Sequence, residues 1–142
     1  MYKKILLAVD GSDHSIQAAN DAVKFHDLIP DSVIDVVFVA DYEKSKYDIL
    51  HAHDKEKLDL DRRKQLLPIE QLLTEHKVNH HYHLLHGKPG ETIVSFQKER
   101  HYDLIILGSS GLGALKEMVM GSISKYVVKH ATCPVLVIKQ GQ

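Results

Sequence analysis

The chain of 142 residues has one cysteine, no tryptophan and almost no net charge. A single Cys133 excludes an internal disulfide and any zinc site that needs two cysteines from one chain. The chain has 18 Lys and Arg against 19 Asp and Glu, which gives a net charge of -1. So small a charge creates no general electrostatic attraction for nucleic acid or an anionic membrane. No apolar run approaches the roughly 20 residues of a membrane span, and no secretory leader pattern begins the chain. We therefore expect a cytoplasmic protein without nucleic-acid or membrane partners.

The composition is otherwise that of an ordinary folded domain. Hydrophobic residues make up 44% of the chain and charged residues 26%, which is not the low-hydrophobicity, high-charge signature of disorder. The length is that of one domain of common size. We therefore expect one domain over residues 1–142.

Short apolar runs alternate with segments of helical spacing along the chain. The predicted strands are residues 5–9, 33–40, 80–85, 103–107 and 134–138, and the predicted helices are residues 12–28, 58–73, 91–100 and 122–130. Pro68 falls inside the second helix and predicts a kink there. Residues 43–57 are polar and weakly periodic, which is typical of a long loop or lid. The alternation predicts an α/β fold, an open and mostly parallel sheet with helices on both faces.

Glycines and serines cluster after the fourth predicted strand. Gly108, Gly111 and Gly113 follow that strand closely, and Gly121 precedes Ser122 and Ser124 at the start of a helix. Glycines let backbone N–H groups approach a bound group, and a helix N-terminus with nearby hydroxyls suits an anion. With Ser122 taken as the capping residue, the two segments predict a cradle for phosphate.

A carboxylate ends the first predicted strand. In open parallel sheets, ligands bind beyond the carboxyl ends of the strands, where the strand order reverses. Asp10 stands at such an end, where its carboxylate could accept hydrogen bonds from ribose hydroxyls or help hold Mg2+.

Familiar nucleotide and hydrolase motifs do not fit this chain. The G-x-x-x-x-G-K-[ST] pattern of phosphate-binding loops is absent, and the glycines read G-x-x-G-x-G after the fourth strand rather than G-x-G-x-x-G after the first. Gly108 to Gly111 also misses the G-x-S-x-G nucleophile elbow by one residue. No catalytic set is visible, so we expect a binding protein rather than an enzyme.

The spacing Gly108-x-x-Gly111, nine residues, Gly121-Ser122 resembles the ATP-binding signature of the universal stress protein family. The likeness extends to residues 3–12, to Gly87-x-Pro89 and to residues 133–138. The resemblance implies a Rossmann-like sheet with strand order 3-2-1-4-5, a homodimer, and bound ATP, with or without Mg2+.

The resemblance also implies roles for individual residues. Asp10 would face the ribose or a phosphate-bound metal, and Val39 would offer backbone groups to the adenine. The phosphates would be held by Gly108, Gly111, Gly121, Ser122 and Ser124. On this interpretation the protein is a stress-response or signalling protein that dimerises through its C-terminal strand, which lies at an open sheet edge.

Two alternatives and one further constellation stay open. The chain could be an adenine-nucleotide α-hydrolase type of enzyme, or a structural dimer that binds no nucleotide. Its 11 histidines raise the question of a metal site, with His81 and His83 on one strand face and His51 and His53 in the polar segment. Since no accompanying carboxylate pattern is visible, we predict no metal site and expect solvated histidines.

Overall fold

The computed structural model describes residues 2–10, 13–40, 60, 63–109 and 121–139. The strands are β1 (Lys4–Val9), β2 (Val33–Ala40), β3 (His80–His86), β4 (Leu104–Gly108) and β5 (Val135–Ile138), and the helices are α1 (Asp13–Leu28), α2 (Leu67–Glu75), α3 (Pro89–Arg100) and α4 (Ser122–His130). All strand pairs are parallel, in the order β3-β2-β1-β4-β5. The predicted α/β fold and strand order are confirmed, whereas the predicted lid at 43–57 lies outside the described residues.

The central strand β1 is buried because it has a partner on each side. Its residues pair with β2 from Lys4↔Val33 to Val9↔Phe38 and with β4 from Ile5↔Leu104 to Ala8↔Leu107. Ile5, Leu6 and Leu7 are each 0% exposed. A strand buried on both faces needs a continuous apolar run, which is the pattern that predicted it.

Each face of the sheet is covered by a pair of helices. On one face, α1 and α2 pack on alternate β1 residues through apolar side chains that include Ala18, Ala22 and Ile69. On the other face, α3 and α4 do the same through Ile93, Val94 and Val127. Among the described residues no helix has the length and apolar character to cross a membrane.

Pro68 begins a helix instead of kinking one. Residues 63–65 are helical, Leu66 is a turn, and α2 then starts at Leu67 with Pro68 in its first turn. The first turn of a helix needs no backbone N–H donor, so proline fits there without loss of a hydrogen bond. Helical residues thus lie on both sides of Leu66, where one kinked helix over 58–73 was predicted, and residues 58, 59, 61 and 62 lie outside the described residues. Ile69 and Leu73 bury the inner face of the shorter α2.

A buried polar cluster lies near the amino ends of the strands, centred on Asp35 of β2. Asp35 is 8% exposed, and it accepts a hydrogen bond from the phenol of Tyr102. The Asp35 carboxylate also lies 3.1 Å from His81 Nδ1 and 3.3 Å from His83 Nε2. The His81 side chain is 64% exposed, as expected, but that of His83 is 21% exposed, so the expectation of a solvated histidine is wrong there.

The environment of Tyr102 stabilises its neutral form. Tyr102 is 3% exposed. Burial, followed by the hydrogen bond to Asp35 and the repulsion of that carboxylate, raises the pKa of the Tyr102 phenol well above its usual value. A pKa raised by folding contributes stability that is complete below the unfolded pKa and is lost as pH rises beyond it.

We predict that Tyr102→Phe lowers the free energy of unfolding at neutral pH by about 1.5–3 kcal/mol, the range for hydrogen bonds to charged groups. Above the ordinary tyrosine pKa of about 10, the wild-type protein should lose stability more steeply than the variant, since only the wild type has a phenol at position 102 whose pKa is raised by folding. Urea unfolding measured at several pH values between neutral and alkaline tests this.

Tyr126→Phe is the matched control, because it removes a hydroxyl from a half-buried tyrosine of α4 outside the Asp35 cluster. It should keep the wild-type pH dependence. If the free energy of unfolding fell equally with rising alkaline pH in the wild type and in Tyr102→Phe, the prediction would be contradicted.

Candidate functional site

A cavity of about 390 Å³ opens at the carboxyl ends of β1, β2 and β4. The strand order reverses between β1 and β4, so the cavity lies at the switch point where open parallel sheets bind ligands. Its volume falls within the roughly 300–1,000 Å³ range of small-molecule sites. The apolar lining residues are Ala8, Val9, Phe38, Val39, Pro89, Ile93, Leu107 and Ile123. The other lining residues are Asp10, His14, Ser15, Gly108, Ser109, Gly121, Ser122 and Ser124.

Asp10 is held at the middle of the cavity by the first turn of α1. The Asp10 amide donates to Ser15 Oγ over 2.7 Å, and the Ser15 hydroxyl donates back to Asp10 Oδ1 over 2.7 Å. Ser15 is 3% exposed, whereas Asp10 is exposed. The reciprocal pair fixes the orientation of the carboxylate, and its exposure leaves it accessible to a ligand.

The start of α4 lies at the β4 end of the cavity. Gly121 is the N-cap residue and no side chain caps the helix, so the prediction that Ser122 is the cap is wrong by one position. The first intrahelical hydrogen bond runs from the Lys125 amide to the Gly121 carbonyl over 3.0 Å. The amides of residues 122–124 precede it in the first turn, where N–H groups have no intrahelical acceptor. This helix end carries partial positive charge and suits an anion.

Gly121 and Ser124 also connect α4 to β4. The Gly121 amide donates to the Ser109 carbonyl over 2.9 Å. The Ser124 hydroxyl lies 2.9 Å from the Ser109 carbonyl and 3.1 Å from that of Gly108, to which it donates. Ser124 is 2% exposed. Its hydroxyl proton is thus already engaged, and a phosphate contact by this hydroxyl stays a prediction.

Val39 lies at the other end of the cavity. Residue Val9 of β1 pairs with Phe38, so β2 continues past the last paired residue of β1 with Val39 and Ala40. On the β3 side, Val39 pairs with Leu85. The surrounding lining is apolar, which suits an aromatic base. Val39 thus lines this end of the cavity, and its contact with adenine stays a prediction.

Gly108 allows α1 to approach the end of β4. A Cβ atom built on Gly108 would stand 2.8 Å from His14 Cβ and 3.0 Å from the His14 backbone oxygen. Real Cβ atoms do not come so close, so the contact requires glycine. Gly108 therefore has a packing role beside its predicted place in a phosphate cradle, while Gly111 of that cradle lies outside the described residues.

Six of the residues predicted from the sequence line one cavity: Asp10, Val39, Gly108, Gly121, Ser122 and Ser124. The sequence interpretation missed His14, Ser15 and Ser109. Ser15 carried a usable signal, because a serine in the first turn after a strand-ending aspartate is positioned to bond it. Within the described part of the chain, no group of three or more His, Cys, Asp or Glu residues could hold a metal ion.

Comparisons with known proteins agree with this geometry. Residues 1–139 match the universal stress protein family. Universal stress protein MJ0531 of Methanocaldococcus jannaschii is 30% identical over 147 residues, covering 99% of this chain and 84% of its own. The solved structure of the hypothetical protein MJ0577 superposes with a TM-score of 0.87 at 30% identity, covering 100% of this chain and 99% of that one.

A universal stress protein family protein from Arabidopsis thaliana, solved with AMP bound, matches with a TM-score of 0.70 at 22% identity. The match covers 98% of this chain and 92% of that one. At this identity the likeness concerns the fold alone. The family match over nearly the whole chain, together with the M. jannaschii relative, shows that the chain belongs to the universal stress protein family.

Proposed function

We infer that this chain is an ATP-binding universal stress protein that acts in the cytoplasm as a nucleotide-dependent stress-response or signalling homodimer. The observation that carries the proposal is the layout of the cavity. It runs from an apolar end at β2, past a fixed carboxylate on β1, to a helix N-terminus beside β4. Because neighbouring strands lie about 4.8 Å apart, these features span about 10 Å in the order base, ribose, phosphate.

Each part of the nucleotide has a residue suited to it. The adenine would lie against Val39 and Phe38, and Asp10 would accept hydrogen bonds from the ribose hydroxyls. The amides at the start of α4 and the Ser122 hydroxyl would bind phosphate oxygens, as would Gly111 beyond the described residues. Asp10 also offers the kind of oxygen ligand that Mg2+ prefers, and the ion would neutralise phosphate charge.

One solved structure of the same fold is compatible with a nucleotide in this cavity. The Arabidopsis thaliana protein of the same fold has AMP bound, so this architecture accommodates an adenine nucleotide in at least that protein. The single Cys133, half-buried with a pKa raised by burial, is in keeping with a protein that depends on no disulfide and works in the reducing cytoplasm.

The proposed output is binding rather than turnover. Rapid phosphoryl transfer needs cations placed against the transferring phosphate and a positioned base. Of the cavity residues that the structure describes, none is Lys or Arg, and the carboxylate of Asp10 is already bonded by Ser15. The cavity is therefore suited to hold a nucleotide whose presence changes the conformation or the contacts of the protein.

We predict that Gly121→Leu weakens ATP binding by about tenfold or more, because a side chain at the start of α4 would occupy the phosphate end of the cavity. Gly121 has φ -63 and ψ 166, an extended conformation open to any residue, so the variant should fold. Isothermal titration calorimetry with ATP measures the effect.

Ser95→Leu is the control, since it adds the same side chain at an exposed position of α3 outside the cavity lining. Mass spectrometry of ligand released from gently purified wild-type protein identifies what the cavity holds. Equal ATP affinity in the wild type and Gly121→Leu would contradict the proposed phosphate position at the start of α4. A wild type that binds no adenine nucleotide would favour the structural-dimer alternative.

We also predict an ATP turnover far below the ~10 per second typical of enzymes. Phosphate release from saturating ATP, measured with and without Mg2+, checks this. A rate near the enzymatic range would instead support the α-hydrolase alternative.

The homodimer is proposed to form along β5. In the described sheet β5 is an edge strand with four apolar residues, each half-buried. The Pro134 carbonyl accepts from the Ile105 amide over 3.1 Å, and the Ile138 carbonyl accepts from the Ser109 amide over 2.9 Å. Because successive residues turn their backbone groups to opposite sides, Val135 and Val137 turn theirs to the open edge. A second copy of β5 would satisfy them around a two-fold axis.

We predict that Val137→Pro converts the dimer to a monomer without unfolding it. Proline removes an N–H that faces the open edge and leaves the β4–β5 ladder intact. Val137→Ala is the control for the lost side chain and should remain dimeric. Light scattering gives the mass of each protein, and circular dichroism confirms the fold. A wild type that is monomeric at micromolar concentration would show the edge-pairing argument to be wrong.

A further inference from the structure

A buried histidine of α1 lines the cavity. His14 is the second residue of α1 and is 6% exposed. Its Nδ1 is shielded from solvent and has no hydrogen-bond partner in the part of the chain that the structure describes. Nearby Ser15, one residue later, is by contrast bonded twice to Asp10. Among the described residues, the Nδ1 atom of His14 is therefore unpartnered next to a serine whose hydroxyl is fully bonded.

Such a residue is unfavourable in a nucleotide-free protein. A buried polar atom without a partner loses its hydration and gains nothing in return, so native proteins rarely retain one. A leucine would fill a similar space without that loss. Histidine at this position is thus explained better by a partner that arrives from outside the chain than by packing.

The position of His14 indicates which part of the ligand it meets. The Cβ atom and the backbone of His14 lie against the end of β4, because a Cβ atom on Gly108 would stand only 2.8 Å from His14 Cβ. That end of the cavity contains the start of α4, whereas the apolar lining around Val39 lies at the β2 end. Two helix N-termini, those of α1 and α4, meet there, and their partial positive charges favour an anionic group.

We propose that the imidazole of His14 donates a hydrogen bond to a phosphate oxygen of the bound nucleotide. This inference rests on the proposed function and adds a phosphate-binding side chain to it. A half-turn of the ring exchanges Nδ1 with a ring carbon at similar volume, so the imidazole can turn a nitrogen toward the phosphate without repacking α1. The histidine selects for the charged end of the ligand, while Val39 and its neighbours accommodate the base.

His14→Leu tests the proposal against His26→Leu. His26 is also a buried histidine of α1, 9% exposed, but it does not line the cavity. Calorimetry with ATP should show a loss of about tenfold to a hundredfold in His14→Leu, the effect of a hydrogen bond to a charged group, and no loss in His26→Leu. Adenosine, which lacks phosphate, should bind equally to the wild type and His14→Leu.

Stability without nucleotide separates a ligand contact from a packing role. Urea unfolding of nucleotide-free His14→Leu should give a midpoint equal to or above that of the wild type, because an unsatisfied polar atom is removed. An unchanged ATP affinity, or an equal loss for adenosine and ATP, would overturn the proposal while the nucleotide function stands. A wild type that binds no ATP would overturn both.

A second measurement does not depend on the variant folding. In the wild-type protein, the ¹⁵N resonances of the His14 ring, assigned by through-bond correlation, should shift when ATP is added and should not shift with adenosine. Identical His14 ring resonances with and without ATP, in a protein that binds ATP by calorimetry, would overturn the proposal.

Discussion

The burial of β1 on both of its faces and along both of its edges is the constraint on which the rest of the structure depends. Ile5, Leu6 and Leu7 are inaccessible to solvent, so every backbone N–H and C=O of this strand must be bonded within the sheet. Parallel neighbours on both sides satisfy that demand, and parallel neighbours require crossover helices. Asp10 follows where the ladder ends, and its amide and carboxylate are bonded by Ser15 of α1.

Buried polar groups have different surroundings at the amino ends and at the carboxyl ends of the strands. At the amino ends, the carboxylate of Asp35 has Tyr102, His81 and His83 around it, so a costly burial is compensated inside the chain. At the carboxyl ends, His14 is buried as deeply, and its Nδ1 has no hydrogen-bond partner among the described residues. His83 Nε2 in the Asp35 cluster also lacks a hydrogen bond but lies 3.3 Å from the Asp35 carboxylate, whereas the proposed partner of His14 comes from outside the chain.

Much of the fold was predictable because it depends on local patterns. Buried strands need continuous apolar runs and helices need their own period, so the alternation predicted the elements without any knowledge of contacts. Asp35 stood out as the interruption of such a run, but its partners come from β3 and from the residues before β4. Pro68 was ambiguous, since a proline in a periodic segment either kinks a helix or begins one, and the turn at Leu66 decides between them.

The candidate site was predictable where it depends on spacing and unpredictable where it depends on packing. Glycines near a helix start indicated an anion site, and the error of one residue at Ser122 reflects the near equivalence of Gly and Ser as N-caps. The role of Ser124 depends on carbonyls at the end of β4. The burial of His14 likewise depends on the missing Cβ of Gly108, on another strand. Neither relation leaves a trace in local sequence.

Ser109 connects the α4 end of the cavity to the edge strand β5. Its carbonyl accepts hydrogen bonds from the Gly121 amide and the Ser124 hydroxyl, and its own amide donates to Ile138 of β5. A phosphate bound by the first turn of α4 would therefore act on a residue that also holds the edge strand. The contacts on this path are direct hydrogen bonds, so α4, Ser109 and β5 form one continuous chain of contacts outside the apolar core. The proposed nucleotide site and the proposed dimer edge are therefore connected through a single residue, Ser109.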